Sequence, residues 1–150
     1  MRLALKIPPP IILAIAAVVM SLLAKLLPVG LLNAPFWLPI LVALAGIYIA
    51  ILGVQEFRRA KTTLNPLSPN QTNQIVQSGI FTKTRNPMYL GMALVLCAWA
   101  LWLGAVITWL GVVLFVAYIT YFQIIPEEQI LSKKFGDDFV AYCQKVRRWL

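Results

Sequence analysis

Four nearly uninterrupted apolar runs, at residues 11–27, 36–54, 87–103 and 105–125, constrain this chain more than any other feature. A helix needs about 20 apolar residues to cross a bilayer, and about 17 is a lower limit. Inside lipid the backbone must satisfy its own hydrogen bonds, so runs of this kind become helices. Composition points the same way. Of 150 residues, 61% are hydrophobic and 12% charged, whereas a soluble domain carries about 25% charged residues. The expected fold is all-α: an integral membrane bundle of about four transmembrane helices, a long central loop and an amphipathic C-terminal segment. Arg2 and Lys6 precede the first run as they would in a signal peptide. However, the run is longer than the roughly 7–15 residues of such a segment, and no small-x-small site precedes Lys25. The first run is therefore read as a retained span.

Between the first two runs, Pro28 to Pro35 allows only a tight turn, so they form an antiparallel hairpin. Trp37 suits an interfacial anchor. Polarity then changes sharply at Glu56, Arg58, Arg59 and Lys61. The following loop, residues 62–85, is rich in Asn, Gln, Ser, Thr and Pro, which favour turns. A loop this long in so small a protein points to function. Gly104 breaks the third run from the fourth, and Pro126 starts a charged tail. The whole chain reads as one domain: an N-terminal hairpin at 1–55, then loop, second hairpin and tail at 56–150.

The net charge is +8, and the basic residues lie before, between and after the apolar runs. Four spans put the N-terminus, the central loop and the C-terminus on one side, with only Lys25 opposite. The positive-inside rule makes that side cytoplasmic. Anionic headgroups, not nucleic acid, are the partner this pattern implies. Histidine is absent, which excludes His metal ligands and a histidine general base. Cys97 sits in an apolar run and Cys143 in the tail, too few for a zinc site and too unlike in setting for a disulfide.

In the tail, Leu131, Phe135, Phe139, Tyr142, Val146 and Trp149 recur at helical spacing, with Gly136 as a break between two short helices. Periodicity alone favours a helix lying in the membrane interface. The alternative is that this stripe packs over the central loop and closes a pocket.

Three stretches can carry chemistry. Glu127 and Glu128 follow the fourth run, where acidic residues also suit a helix start at Pro126. Thr84-Arg85-Asn86-Pro87-Met88-Tyr89 places a capping Asn86 before a helix opening at Pro87. The same helix start, with Arg85 beside it, is an anion site. Asn73-Gln74-Ile75-Val76-Gln77-Ser78-Gly79-Ile80-Phe81 holds a turn at Gly79 and an apolar pair, Ile75-Val76, that folds back onto the membrane domain.

In combination, Ile75 to Phe81, Thr84 to Gly91, Glu127-Glu128, Phe135-Gly136 and the Tyr142 to Trp149 segment resemble the isoprenylcysteine carboxyl methyltransferase family. The likeness is strongest to its small prokaryotic members, grouped with phospholipid methyltransferases, and covers residues 62–150. It implies an S-adenosylmethionine-dependent methyltransferase, releasing S-adenosylhomocysteine and acting on a lipophilic methyl acceptor. By position it implies cofactor contacts at Asn73, Gln74, Ile75, Val76, Phe81, Asn86, Pro87, Met88, Tyr89, Glu127 and Glu128, with Arg85 and Glu127 as catalytic residues. Gln123 stands where eukaryotic members carry a basic substrate residue. Gln123 and Arg148 are the expected substrate residues here, and no metal is expected. A carboxylate acceptor needs no general base, which suits a chain without histidine. A phospholipid amine is the alternative acceptor, and a non-enzymatic membrane scaffold or transport protein the alternative class.

Overall fold

The computed structural model describes residues 7–27, 30, 33–60 and 74–150. Among these residues the structure is mostly helical, without strands. Six α-helices follow in order: α1 (Pro9–Leu26), α2 (Trp37–Arg59), α3 (Pro87–Leu103), α4 (Trp109–Ile119), α5 (Ile125–Phe135) and α6 (Asp137–Lys145). Short 3-10 turns at Gly79–Thr82 and Val106–Thr108 precede α3 and α4.

Among the described residues, three helical segments are long and apolar enough to cross a membrane: Pro9–Leu26, Trp37–Arg59 and Val106–Phe135. The fourth expected span, α3, has 17 residues and falls just below that length. It is also the most enclosed helix, with Tyr89, Leu90, Ala93, Leu96, Ala98 and Ala100 buried. Around it pack α1, α2 and α4. The first two helices do not form a mainly self-packed hairpin, because each packs on α3 rather than chiefly on the other. The closest approach is between α2 and α3 at Gly46 and Gly91. A Cβ on Gly91 would lie 2.4 Å from the Gly46 carbonyl, and one on Gly46 2.7 Å from the Gly91 carbonyl. Small residues allow this approach where lipid offers helices no hydrophobic drive to associate.

Both interhelical turns meet at one end of the bundle, where the Val106 N–H donates to the Gly30 carbonyl (3.0 Å). The segment 74–86 and the residues after α6 meet elsewhere. There Arg85 N–H donates to the Arg147 carbonyl (3.0 Å), tying the start of α3 to the C-terminal strand of chain. Gly104 closes α3 at φ +67°, as its place between two runs suggests.

Two expectations need correction. The fourth span does not end at Pro126. Helix continues from Val106 to Phe135, 30 residues, through a π-helical turn at Thr120–Ile124. Proline has no N–H and its ring collides with the carbonyl four residues back; a wider π turn just before it absorbs both effects. At 1.5 Å per residue this segment is about 45 Å long, longer than a hydrocarbon core of roughly 30 Å.

The tail is the second correction. Its stripe packs inward rather than lying unpartnered. Phe139, Tyr142 and Val146 are buried, with Ile75, Leu131, Phe135 and Cys143 against them. Trp149 reaches the main core, and its indole N–H donates to Thr120 Oγ1 (3.2 Å). Periodicity reports which face is apolar, not what covers it. Gly136 does break α5 from α6, at φ +56°.

Candidate functional site

The site is built where four pieces of chain converge: the segment 74–86, the start of α3, the first turns of α5 and the residues after α6. The start of α3 and the π turn before α5 set it. Pro87 opens α3 at a position where a missing N–H costs nothing. Pro126 stands at the second position of α5, and Glu127 and Glu128 follow it in the first turn past the π turn.

Adjacent helical residues diverge by about 100°, and the two glutamates accordingly serve different partners. Glu127 turns to α3, where Tyr89 Oη donates to its Oε1 (3.0 Å). Glu128 turns to the tail. Arg148 grips it in bidentate fashion, Nε to Oε1 at 3.0 Å and Nη2 to Oε2 at 2.6 Å. Arg85 Nη1 lies 3.1 Å from Glu128 Oε1. One carboxylate thus joins two guanidinium groups, leaving a net positive charge. Bidentate charged contacts of this kind are the stronger class of hydrogen bond.

Arg85 has one more neighbour, Cys143, whose Sγ accepts from Nη1. Its Nε is buried without a hydrogen-bond partner among the described residues. Burial raises the Cys143 thiol above its usual range, and the adjacent Arg85 guanidinium opposes that rise. Burial also pushes the Tyr142 phenol well up; its Oη donates to the Phe81 carbonyl (2.8 Å). The hydrogen bond to Glu128 raises Arg148 further.

Asn86 occupies the capping position, but its side chain does not cap α3. Its Nδ2 donates instead to the Arg148 carbonyl (3.0 Å), which Thr84 Oγ1 also approaches at 3.4 Å. Asn86 therefore holds the C-terminal segment in place. Phe81 and Val76 are buried, as the fold-back of the loop requires. Gln74 Nε2 donates to the Ala60 carbonyl at the end of α2. Pro87 and Met88 lie against Gly53 of α2. A polar cavity of about 440 Å³ opens between the loop and α6, lined in part by Gln74, Ile75, Gln77, Asp138, Tyr142 and Lys145.

Arg85, Asn86, Tyr89, Glu127, Glu128 and Arg148 are thus brought together, and Gln74 and Ile75 line the polar cavity. Gln123 is not among them. It is fully buried in the π turn, and its Nε2 donates to the Ile7 carbonyl ahead of α1 (2.8 Å). Asn73 lies outside the described residues. Among the described residues no cluster of potential metal ligands occurs. Sequence reasoning passed over Glu56, Tyr142 and Cys143 as site neighbours. For Tyr142 the apolar stripe was a usable signal; for Cys143 nothing in the sequence distinguishes it.

The model of the phospholipid methyltransferase family matches residues 34–138. An uncharacterized protein of Haemophilus influenzae is 56% identical over 63 residues, which are 42% of this chain and 100% of that relative. No solved structure matches significantly.

Proposed function

The chain belongs to the phospholipid methyltransferase family, and from that premise we propose that it transfers a methyl group from S-adenosylmethionine to a membrane-soluble carboxylate, as the related isoprenylcysteine carboxyl methyltransferases do. The coarser reading stands on the family itself: a methyltransferase acting on a membrane substrate, in an integral membrane protein. In the finer reading α1 to α4 all span the bilayer. Both termini and the segment between α2 and α3 are cytoplasmic, on the side from which the cofactor enters. Residues 1–150 act as one domain, with the cofactor site in 56–150.

The observation that carries the proposal is the joining of Arg85, Glu128 and Arg148 next to the Tyr89–Glu127 pair, with a polar cavity lined by Gln74, Ile75 and Tyr142 between the loop and α6. These residues fit S-adenosylmethionine in kind. The surplus positive charge and the unpartnered Arg85 Nε suit its carboxylate. Glu127 suits a cationic or hydroxyl group, and Tyr89 and Phe81 offer aromatic faces toward a sulfonium. Gln74, Ile75, Val76, Asn86, Pro87 and Met88 complete the cofactor set, with Asn73 next in sequence and Glu128 holding the arginines. When bound, the cofactor supplies an already activated methyl group. The chain's task is then proximity and orientation. Arg85 and Glu127 fix position, and the apolar helices admit the acceptor from lipid. Arg148 is the proposed acceptor contact, whereas Gln123 is buried against the Ile7 carbonyl.

A second acceptor, a phospholipid amine, is favoured by the family's own description. Such an amine must lose a proton, and Glu127 and Glu128 are the carboxylates at hand to take it. A non-enzymatic scaffold leaves the family match and the charged cluster without an account.

Calorimetry with S-adenosylhomocysteine on detergent-purified protein tests the proposal. Binding is expected, weakened by Glu127→Ala. Absence of binding by the wild type would end the cofactor reading. Incubating lipid extracts with labelled cofactor separates the acceptors, because a methyl ester is base-labile and an N-methyl group is not.

A further inference from the structure

Glu56 breaks three local rules at once. It is a carboxylate, yet only 7% exposed. It lies one turn from the C-terminal end of α2, where the helix dipole favours cations. It is also pressed against a glycine: a Cβ on Gly79 would sit 2.7 Å from Glu56 Cδ. Gly79 itself has φ +56°, a conformation other residues adopt only with strain. Local rules broken together mark functional or strained positions.

The contacts show what the arrangement does. Ser78 Oγ donates to Glu56 Oε2, and Arg59 Nη1 donates to Oε1 at 2.7 Å. One residue on, Phe57 meets Phe81 edge to face at 5.3 Å between ring centroids. At the end of the same helix the Ala60 carbonyl accepts from Gln74 Nε2. The last turns of α2 therefore hold segment 74–82 at its start, middle and end. That segment contains Gln74, Ile75, Val76 and Phe81, and the Phe81 carbonyl in turn receives Tyr142.

We infer that Glu56 is a positioning residue for the cofactor site, clamping the Ser78–Gly79 turn so that Gln74, Ile75 and Gln77 before it line the cavity and Phe81 after it meets Tyr142. The inference rests on the proposed function for what the segment binds, though not for the clamp itself. It gives α2 a role in the site, which its hydrophobicity does not suggest. Glu56 reaches the chemistry only through the loop, so it is not a catalytic residue.

The test uses the full chain in detergent with three variants: Glu56→Ala, Glu56→Gln and Ser78→Ala. Amide hydrogen exchange across 74–82, calorimetry with S-adenosylhomocysteine and KM for each substrate are the readouts. Glu56→Ala is expected to speed exchange in 74–82 and to weaken cofactor binding by about tenfold or more. KM should rise for S-adenosylmethionine and not for the acceptor. Glu56→Gln keeps an oxygen that accepts from Ser78 and should restore affinity to within about threefold, a rescue that general destabilisation would not give. Wild-type exchange and affinity in Glu56→Ala would overturn the inference, as would Glu56→Gln behaving no better than alanine. If Glu56→Ala fails to fold, Ser78→Ala is expected to show the same pattern in smaller measure, and unchanged exchange there is disproof. If the wild type binds no S-adenosylhomocysteine, the proposed function fails and exchange alone judges the clamp.

Discussion

Replacing Glu128 with alanine strands two guanidinium groups in one step. The Arg85 side chain is 12% exposed and that of Arg148 is 37% exposed, with Glu128 between them at 19%. Water can take over for Arg148 but not for Arg85. Hydrogen bonds to charged groups contribute about 1.5–3 kcal/mol each, and removing one member of a buried ion pair costs about 3–5 kcal/mol. Glu128→Ala should therefore cost about 3 kcal/mol. Arg148→Ala should cost about 1 kcal/mol, because an exposed pair is worth little and Glu128 keeps Arg85. For a chain of this size 1 kcal/mol moves the melting temperature by about 2–4 °C. The expected falls are about 6–12 °C for Glu128→Ala and about 2–4 °C for Arg148→Ala. Circular dichroism melts in detergent, repeated for the double variant, provide the measurement. The double variant should lose less than the sum of the singles, by about 1 kcal/mol. An Arg148→Ala loss equal to or larger than that of Glu128→Ala would refute the reasoning, since it requires Arg85 to be indifferent to Glu128.

Other outcomes follow from the same structure. Gly91→Ala should destabilise by about 1–3 kcal/mol, seen as a lower melting temperature, because its Cβ meets the Gly46 carbonyl at 2.4 Å; an unchanged melt would mean α2 and α3 are not so closely packed. Cys143 favours its neutral thiol when folded, because burial raises its pKa. Its contribution to stability is thus present below the ordinary thiol value of about 8.5 and lost as pH rises through the folded value. In a Cys97→Ala background, maleimide labelling at pH 8 should be slow, and Arg85→Gln should slow it further by removing the guanidinium that favours thiolate. Deleting residues 147–150 removes the carbonyls that hold Arg85 and Asn86, and hydrogen exchange at 84–90 should rise. A cysteine replacing Ser68 should resist labelling from the periplasmic or extracellular side if the segment between α2 and α3 is cytoplasmic.

Hydrophobic run length and a few breakers determine much of this protein by themselves. Apolar stretches in lipid have no alternative to helix, so α1, α2, α3 and the membrane half of the last long helix could be read from the chain with their breaks at Gly104 and Gly136. Arg85, Asn86, Glu127 and Glu128 could be singled out only together, because capping and the helix dipole account for each alone and the family resemblance rests on their order. Three things were decided only by tertiary structure. Pro126 does not stop the helix, because a π turn before it removes the clash that would have done so. The apolar stripe of the tail is covered by Ile75 and its neighbours rather than by lipid, since periodicity names a face and not its partner. The roles of the acidic residues depend on direction. Glu127 and Glu128 look alike in sequence yet point to Tyr89 and to two arginines. Glu56, which reads as one more charge at a helix end, is buried against Gly79, a contact between residues 23 positions apart that no local pattern records.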